Sequence, residues 1–144
     1  MIWRVSRAPY ADLSGNGARI YGGRWNSPGA PMVYAARDAA LAVLEVRVHL
    51  DLPPELLPGD FVLTQIDCGT LASDRIDTLP ANPRAIGDSW LASSATALME
   101  VPSFIVPESS NVLFNPAHVD AMTVRIVSIR PFVFDERLWL GLQD

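Results

Sequence analysis

The chain has 144 residues, 49% of them hydrophobic and 19% charged, with a net charge of −5 at pH 7. That length suits one domain over residues 1–144 with its own core, and the apolar share excludes a disordered chain. No apolar run approaches the roughly 20 residues of a membrane-spanning helix, and "MIWRVSRAPY" lacks the apolar stretch of a secretory signal, so the cytoplasm is the expected compartment.

The single cysteine, Cys68, cannot close an internal disulfide, and with only His49 and His118 it offers no metal cluster. All 11 basic residues are arginine. Five of them (Arg4, Arg7, Arg19, Arg24 and Arg37) fall within residues 1–37 against one acid, Asp12. The rest of the chain is strongly acidic. A nucleic-acid-binding module would show a basic total and a continuous basic face, so direct nucleic-acid contact is not expected. A positive N-terminal quarter suits a small anionic ligand, and scattered surface arginines are the alternative.

In chain order, "IWRV" (2–5) predicts a short strand. Residues 13–31 are rich in glycine and proline and predict a long loop, of the kind that usually carries function. "MVYAA" (32–36) predicts a strand with Tyr34 near its centre. Residues 38–50 predict a helix, with Asp38 as N-cap and Leu41, Leu44 and Val48 at helical spacing, ended by Pro53-Pro54. "DFVLTQID" (60–67) predicts the next strand, and 84–100 a mainly helical stretch weakened by Gly87. Strands are expected at 101–106, 111–115 and 123–134. This mixture has no regular βαβ repeat and implies an α+β fold on a mainly antiparallel sheet. GxGxxG, P-loop and GxSxG motifs are absent from the sequence.

The segment "YGGRWNSPG" (21–29) places Arg24 after Gly22 and Gly23. An arginine there is either a surface charge or a fork set to hold a carboxylate or phosphate. Glu45 lies at the edge of its helix's apolar stripe, where pairing with His49 or Arg47 competes with a role in a cleft. Tyr34 is a strand tyrosine that can also offer a ring face for stacking. Ser103 sits in an apolar run, and Asn111 and Asn115 supply amides with turn or strand-end roles as the plain alternative.

Taken in order, "LSGNGARIYGGRWNSPGAPMVYAARDAALAVLEVRVHL" and "VPSFIVPESSNVLFNP" resemble the RES-domain family, toxins of bacterial toxin–antitoxin pairs named for an Arg, a Glu and a Ser. The likeness runs from Trp3-Arg4 to Leu138. It implies a fold similar to the compact core of ADP-ribosyltransferases and action on NAD⁺ as substrate. The family's arginine falls on Arg24, its tyrosine on Tyr34, its glutamate on Glu45, its serine on Ser103 and its asparagine on Asn111. Ser109 and Ser110 lie close to that serine.

Under this resemblance, Arg24 holds the diphosphate, with the amides of Gly22 and Gly23 as further donors, and Tyr34 borders the nicotinamide. Glu45 stabilises the oxocarbenium-like ribose, while Ser103 and Asn111 position the ribose or amide. Water, phosphate or a protein side chain is the acceptor, with depletion of free NAD⁺ as the first reading. An ADP-ribosyltransferase or an inactive ADP-ribose-binding module are the alternatives. The implied partner is an Xre-like helix-turn-helix antitoxin. Homo-oligomerisation and a lid at residues 7–20 stay open.

Overall fold

The computed structural model describes residues 1–139 and 141. Its strands are β1 (Ile2–Arg7), β2 (Val33–Ala36), β3 (Phe61–Asp67), β4 (Ser73–Arg75), β5 (Leu98–Pro102), β6 (Ser110–Phe114) and β7 (Arg125–Pro131). Its α-helices are α1 (Asn16–Tyr21), α2 (Ala39–Arg47) and α3 (Pro83–Ser93). The strands form one sheet in the order β4-β5-β6-β2-β1-β3-β7. Each neighbouring pair is antiparallel except β4–β5. The α+β fold with a mainly antiparallel sheet is therefore the observed one. The stretch of the expected single domain at 140 and 142–144 lies outside the described residues.

Alternation along the strands sends side chains to two faces. One face buries Ile2, Val33, Ala35, Ile66, Leu98, Val112 and Phe114. On the other face, Val5, Ala36 and Leu63 pack beneath Leu41 and Ala42 of α2. Further along that same face, Met99, Val101 and Leu113 pack beneath Trp25, Trp90 and Leu91 of the glycine-rich segment and α3. Two lids thus cover one sheet face side by side, and a gap is left between them.

The gap coincides with a split in the sheet. β1 pairs with β3 from Ile2 through Arg7, and β2 pairs with β6 along its whole length. Between β1 and β2 the register holds one pair, Trp3 with Ala36, after which the strands part.

Several boundaries differ from those the sequence predicts. The expected loop at 13–31 contains α1, a helix of six residues too short to show an apolar stripe. The expected helix at 84–100 ends at Ser93, where Ser94 turns left-handed (φ 50°) and donates its N–H to the Trp90 carbonyl. Leu98–Glu100 instead begin β5, because Leu98 and Met99 are buried opposite Phe114 and Leu113. The expected strand at 101–106 breaks at Ser103, whose Oγ accepts from the amides of Ile105 and Val106 and makes a turn. The strand expected over 123–134 spans Arg125–Pro131.

Candidate active site

A cleft of about 480 Å³ opens where β1 and β2 part. Its floor is Trp3, Val5, Ala36 and Leu113; one wall is Ala42, Glu45, Val46 and His49, and the other is Gly22 to Trp25 with Phe104. A volume of this size lies inside the roughly 300–1,000 Å³ range of small-ligand sites.

The glycine-rich wall is pinned from several sides. Tyr34 Oη donates to Asn26 Oδ1 (2.6 Å) and accepts from the Trp25 amide (3.0 Å). Asn26, wholly buried, donates Nδ2 to the Ala18 carbonyl at 2.9 Å. Asp88 of α3 accepts both the amide (2.7 Å) and the hydroxyl (2.6 Å) of Ser27. Arg84, also on α3, reaches the Gly23 carbonyl at 3.3 Å. Gly23 must be glycine, since a Cβ there would lie 2.5 Å from Tyr34 Oη. Burial pushes the Tyr34 phenol up to about 12, so it stays a donor across the neutral range.

Arg24 is exposed on this pinned wall and lines the cleft. Its guanidinium carbon sits 4.0 Å from the centroid of the Phe104 ring. Among the described residues it has no carboxylate partner. The amides of Gly22 and Gly23 correct an expectation. Gly22 N–H donates to the Ala18 carbonyl (2.8 Å) and Gly23 N–H to the Asn26 carbonyl (2.9 Å), so neither is free for an anion. Both glycines line the cleft through their backbone and the space they leave.

Across the cleft, α2 is capped by Asp38, whose Oδ1 accepts from the Leu41 amide at 2.8 Å. Leu41 and Ala42 are buried, and Glu45 follows one turn later on the same helix face, where it meets the cleft. Ser103 Oγ and Asn111 Nδ2 both donate to Glu45 Oε1, each at 2.7 Å. Among the described residues Oε2 accepts no hydrogen bond. Pairing of Glu45 with Arg47 or His49 does not occur among the described residues. Arg47 instead stacks on Trp139 at 4.0 Å and donates to the carbonyls of Leu50 and Leu138.

Ser103 itself is completely buried, so it reaches the cleft through Glu45 rather than directly. The hairpin of β5 and β6 explains the meeting: Pro102 pairs with Ser110 and Val101 with Asn111. Ser109 contributes its carbonyl to the Ser103 amide, and Ser110 opens β6, so Ser103 alone of the three holds Glu45. Asn115 is the turn residue, with Oδ1 on the Ala117 amide. Asn111 keeps a buried Oδ1 with no partner among the described residues.

The cleft thus gathers Arg24, Tyr34, Glu45 and Asn111 directly and Ser103 at one remove. Phe104, Asp88 and Arg4 were not legible as site residues. Phe104 is one place after Ser103, but nothing local marks an aromatic residue as an arginine's seat. Arg4 lies at the split and donates Nη1 to the Tyr10 carbonyl (2.7 Å), with burial lowering its pKa. That bond ties the start of the 7–20 segment back to β1.

A cleft with a free cation on one wall and an oriented carboxylate on the other, over an apolar floor, suits a ligand with an anionic part and a centre that becomes positive. The family model described as the RES domain matches residues 1–135. A protein of Sphingobium sp. (strain YBL2) named Prs ADP-ribosylating toxin is 43% identical over 153 residues, covering 95% of this chain and 95% of that protein. Toxin Res of Photorhabdus laumondii subsp. laumondii is 40% identical, covering 96% of each chain. Among solved structures, a chain of the M. tuberculosis MbcT–MbcA toxin–antitoxin complex matches with a TM-score of 0.78 at 20% identity, covering 92% of this chain and 83% of that one. That last likeness speaks for the fold. The family match and the near full-length relatives together make this chain a member of the RES-domain family.

Proposed function

We propose that this RES-domain chain is the toxin of a toxin–antitoxin pair and breaks the nicotinamide–ribose bond of NAD⁺. The observation that carries the reading is Glu45, a residue of the cleft wall held at Oε1 by Ser103 and Asn111, with Oε2 accepting no hydrogen bond among the described residues. In the reaction the C–N glycosidic bond breaks and its electron pair stays with the ring nitrogen, so the pyridinium leaves as neutral nicotinamide. Positive charge builds on the ribose, and an oriented carboxylate stabilises it. No strong general acid is required. A nucleophile then adds at the ribose carbon, and a water or hydroxyl acceptor gives up its proton.

Arg24 supplies the charge-assisted donors for the diphosphate, and Tyr34 borders the nicotinamide end. Gly22 and Gly23 contribute close backbone approach rather than amide donors. Ser103 acts as the positioning residue of Glu45. A helix-turn-helix antitoxin of the Xre type is the proposed partner and carries any DNA contact, in keeping with the acidic balance of this chain.

Consumption of free NAD⁺ by water or phosphate is the first reading. The Sphingobium relative's name favours a second, transfer of ADP-ribose to a protein side chain. Both break the same bond. Incubation with NAD⁺ labelled in its adenylate half, with and without phosphate and with cell extract, separates them. Label in ADP-ribose or its phosphorylated form marks depletion, and label in a protein band marks transfer. Label remaining wholly in NAD⁺ under all conditions overturns the proposal.

A further inference from the structure

The turn after β5 carries two consecutive residues that reach opposite walls of the cleft. Ser103 donates to Glu45 Oε1 at 2.7 Å. Phe104, 38% exposed, lies under the Arg24 guanidinium at 4.0 Å and meets the Trp25 ring edge-on at 6.4 Å. The turn is closed by Ser103 itself, which accepts from the amides of Ile105 and Val106 and donates its own N–H to the Ser109 carbonyl at 2.9 Å.

We propose that this turn is a shared brace for the site, in which Phe104 is the positioning residue of Arg24 as Ser103 is of Glu45. Arg24 has no ion pair or hydrogen bond among the described residues, so the aromatic face is its hold on a fixed direction. A guanidinium stacked on a ring keeps its in-plane N–H groups free, and those are the donors a diphosphate takes. An arginine parked against a carboxylate would have to break that pair first. Trp25, buried beside it, packs edge-on against the Phe104 ring. Because both holding residues are adjacent, the turn fixes the separation of the cationic and anionic walls. The inference rests on the proposed function for the diphosphate, but the contact itself does not.

The test is a double-mutant cycle read by calorimetry with two probes, ADP-ribose and inorganic pyrophosphate. Phe104→Leu weakens binding about two- to fivefold, the size of an exposed cation–π contact, and Phe104→Trp restores it. In an Arg24→Gln background, Phe104→Leu has no further effect. In the free protein, the Arg24 side-chain protons are shifted upfield by the ring current, and Phe104→Leu abolishes that shift. Wild-type protein that shows this coupling with pyrophosphate but ignores ADP-ribose retires the NAD⁺ reading and leaves Phe104 assigned. Phe104→Leu costing the same with and without Arg24, or wild-type Arg24 protons without a ring-current shift, overturns the inference.

Discussion

Gly87 offers a test in which local propensity and tertiary packing predict opposite signs. It lies inside α3, and replacing a helical glycine by alanine ordinarily gains about 1 kcal/mol. Here a Cβ would stand 1.6 Å from the Trp25 carbonyl oxygen and 2.7 Å from its carbonyl carbon. Those are backbone atoms, and the segment bearing them is pinned by Tyr34, Asn26 and Asp88, so it cannot yield by a rotamer change. The helix must move off the glycine-rich wall by more than an ångström. Overpacking typically costs about 1–3 kcal/mol, and a clash this close with backbone atoms belongs at the upper end, so it outweighs the propensity gain. Gly87→Ala is therefore expected to lower the melting temperature by several degrees, at roughly 2–4 °C per kcal/mol for a chain of this size. Gly17→Ala in α1 is the control: its Cβ meets nothing within 4 Å, so propensity acts alone and stability holds or rises. Thermal melting followed by far-UV circular dichroism reads both. Gly87→Ala melting at or above wild type would refute the packing argument.

Two further perturbations probe the same wall. Tyr34→Phe strands the Trp25 amide and the buried Asn26 Oδ1, and should cost about 1–3 kcal/mol in urea unfolding. Because burial raises the Tyr34 phenol from about 10 to about 12, its protonated form is favoured by folding. Its contribution is complete below pH 10 and is lost as pH rises toward 12, so Tyr34→Phe should flatten stability across that window; parallel curves would contradict the assignment. Asp88→Ala removes both bonds to Ser27 and should speed hydrogen exchange at the Ser27 amide, with unchanged exchange counting against the clamp.

The elements built on local signals were legible. The Asp38 cap, the buried Leu41 and Ala42, and the apolar runs of β2 and β3 all follow from spacing and residue type. β4 was not, since Ser73–Arg75 is wholly exposed and pairs in parallel with β5, with no apolar alternation to mark it. The end of α3 escaped because its left-handed cap is Ser94 and not a glycine. Gly87 reads in the sequence as a weak point of a helix, and the structure shows it as the place where that helix touches Trp25. The candidate residues were legible through their order along the chain. Their partnerships were not: Ser103 and Asn111 are 58 and 66 positions from Glu45, and only the split sheet and the β5–β6 hairpin bring them to one carboxylate oxygen.

The proposed chemistry centres on Glu45, and the direct measurement is the release of free nicotinamide from NAD⁺ by wild type and Glu45→Gln. The glutamine keeps an acceptor for Ser103 and Asn111 but carries no charge. Glu45→Gln should lower the rate about 100-fold or more, with melting temperature and ADP-ribose affinity close to wild type. Equal rates for the two proteins, or a wild type that releases no nicotinamide, would contradict the proposed chemistry.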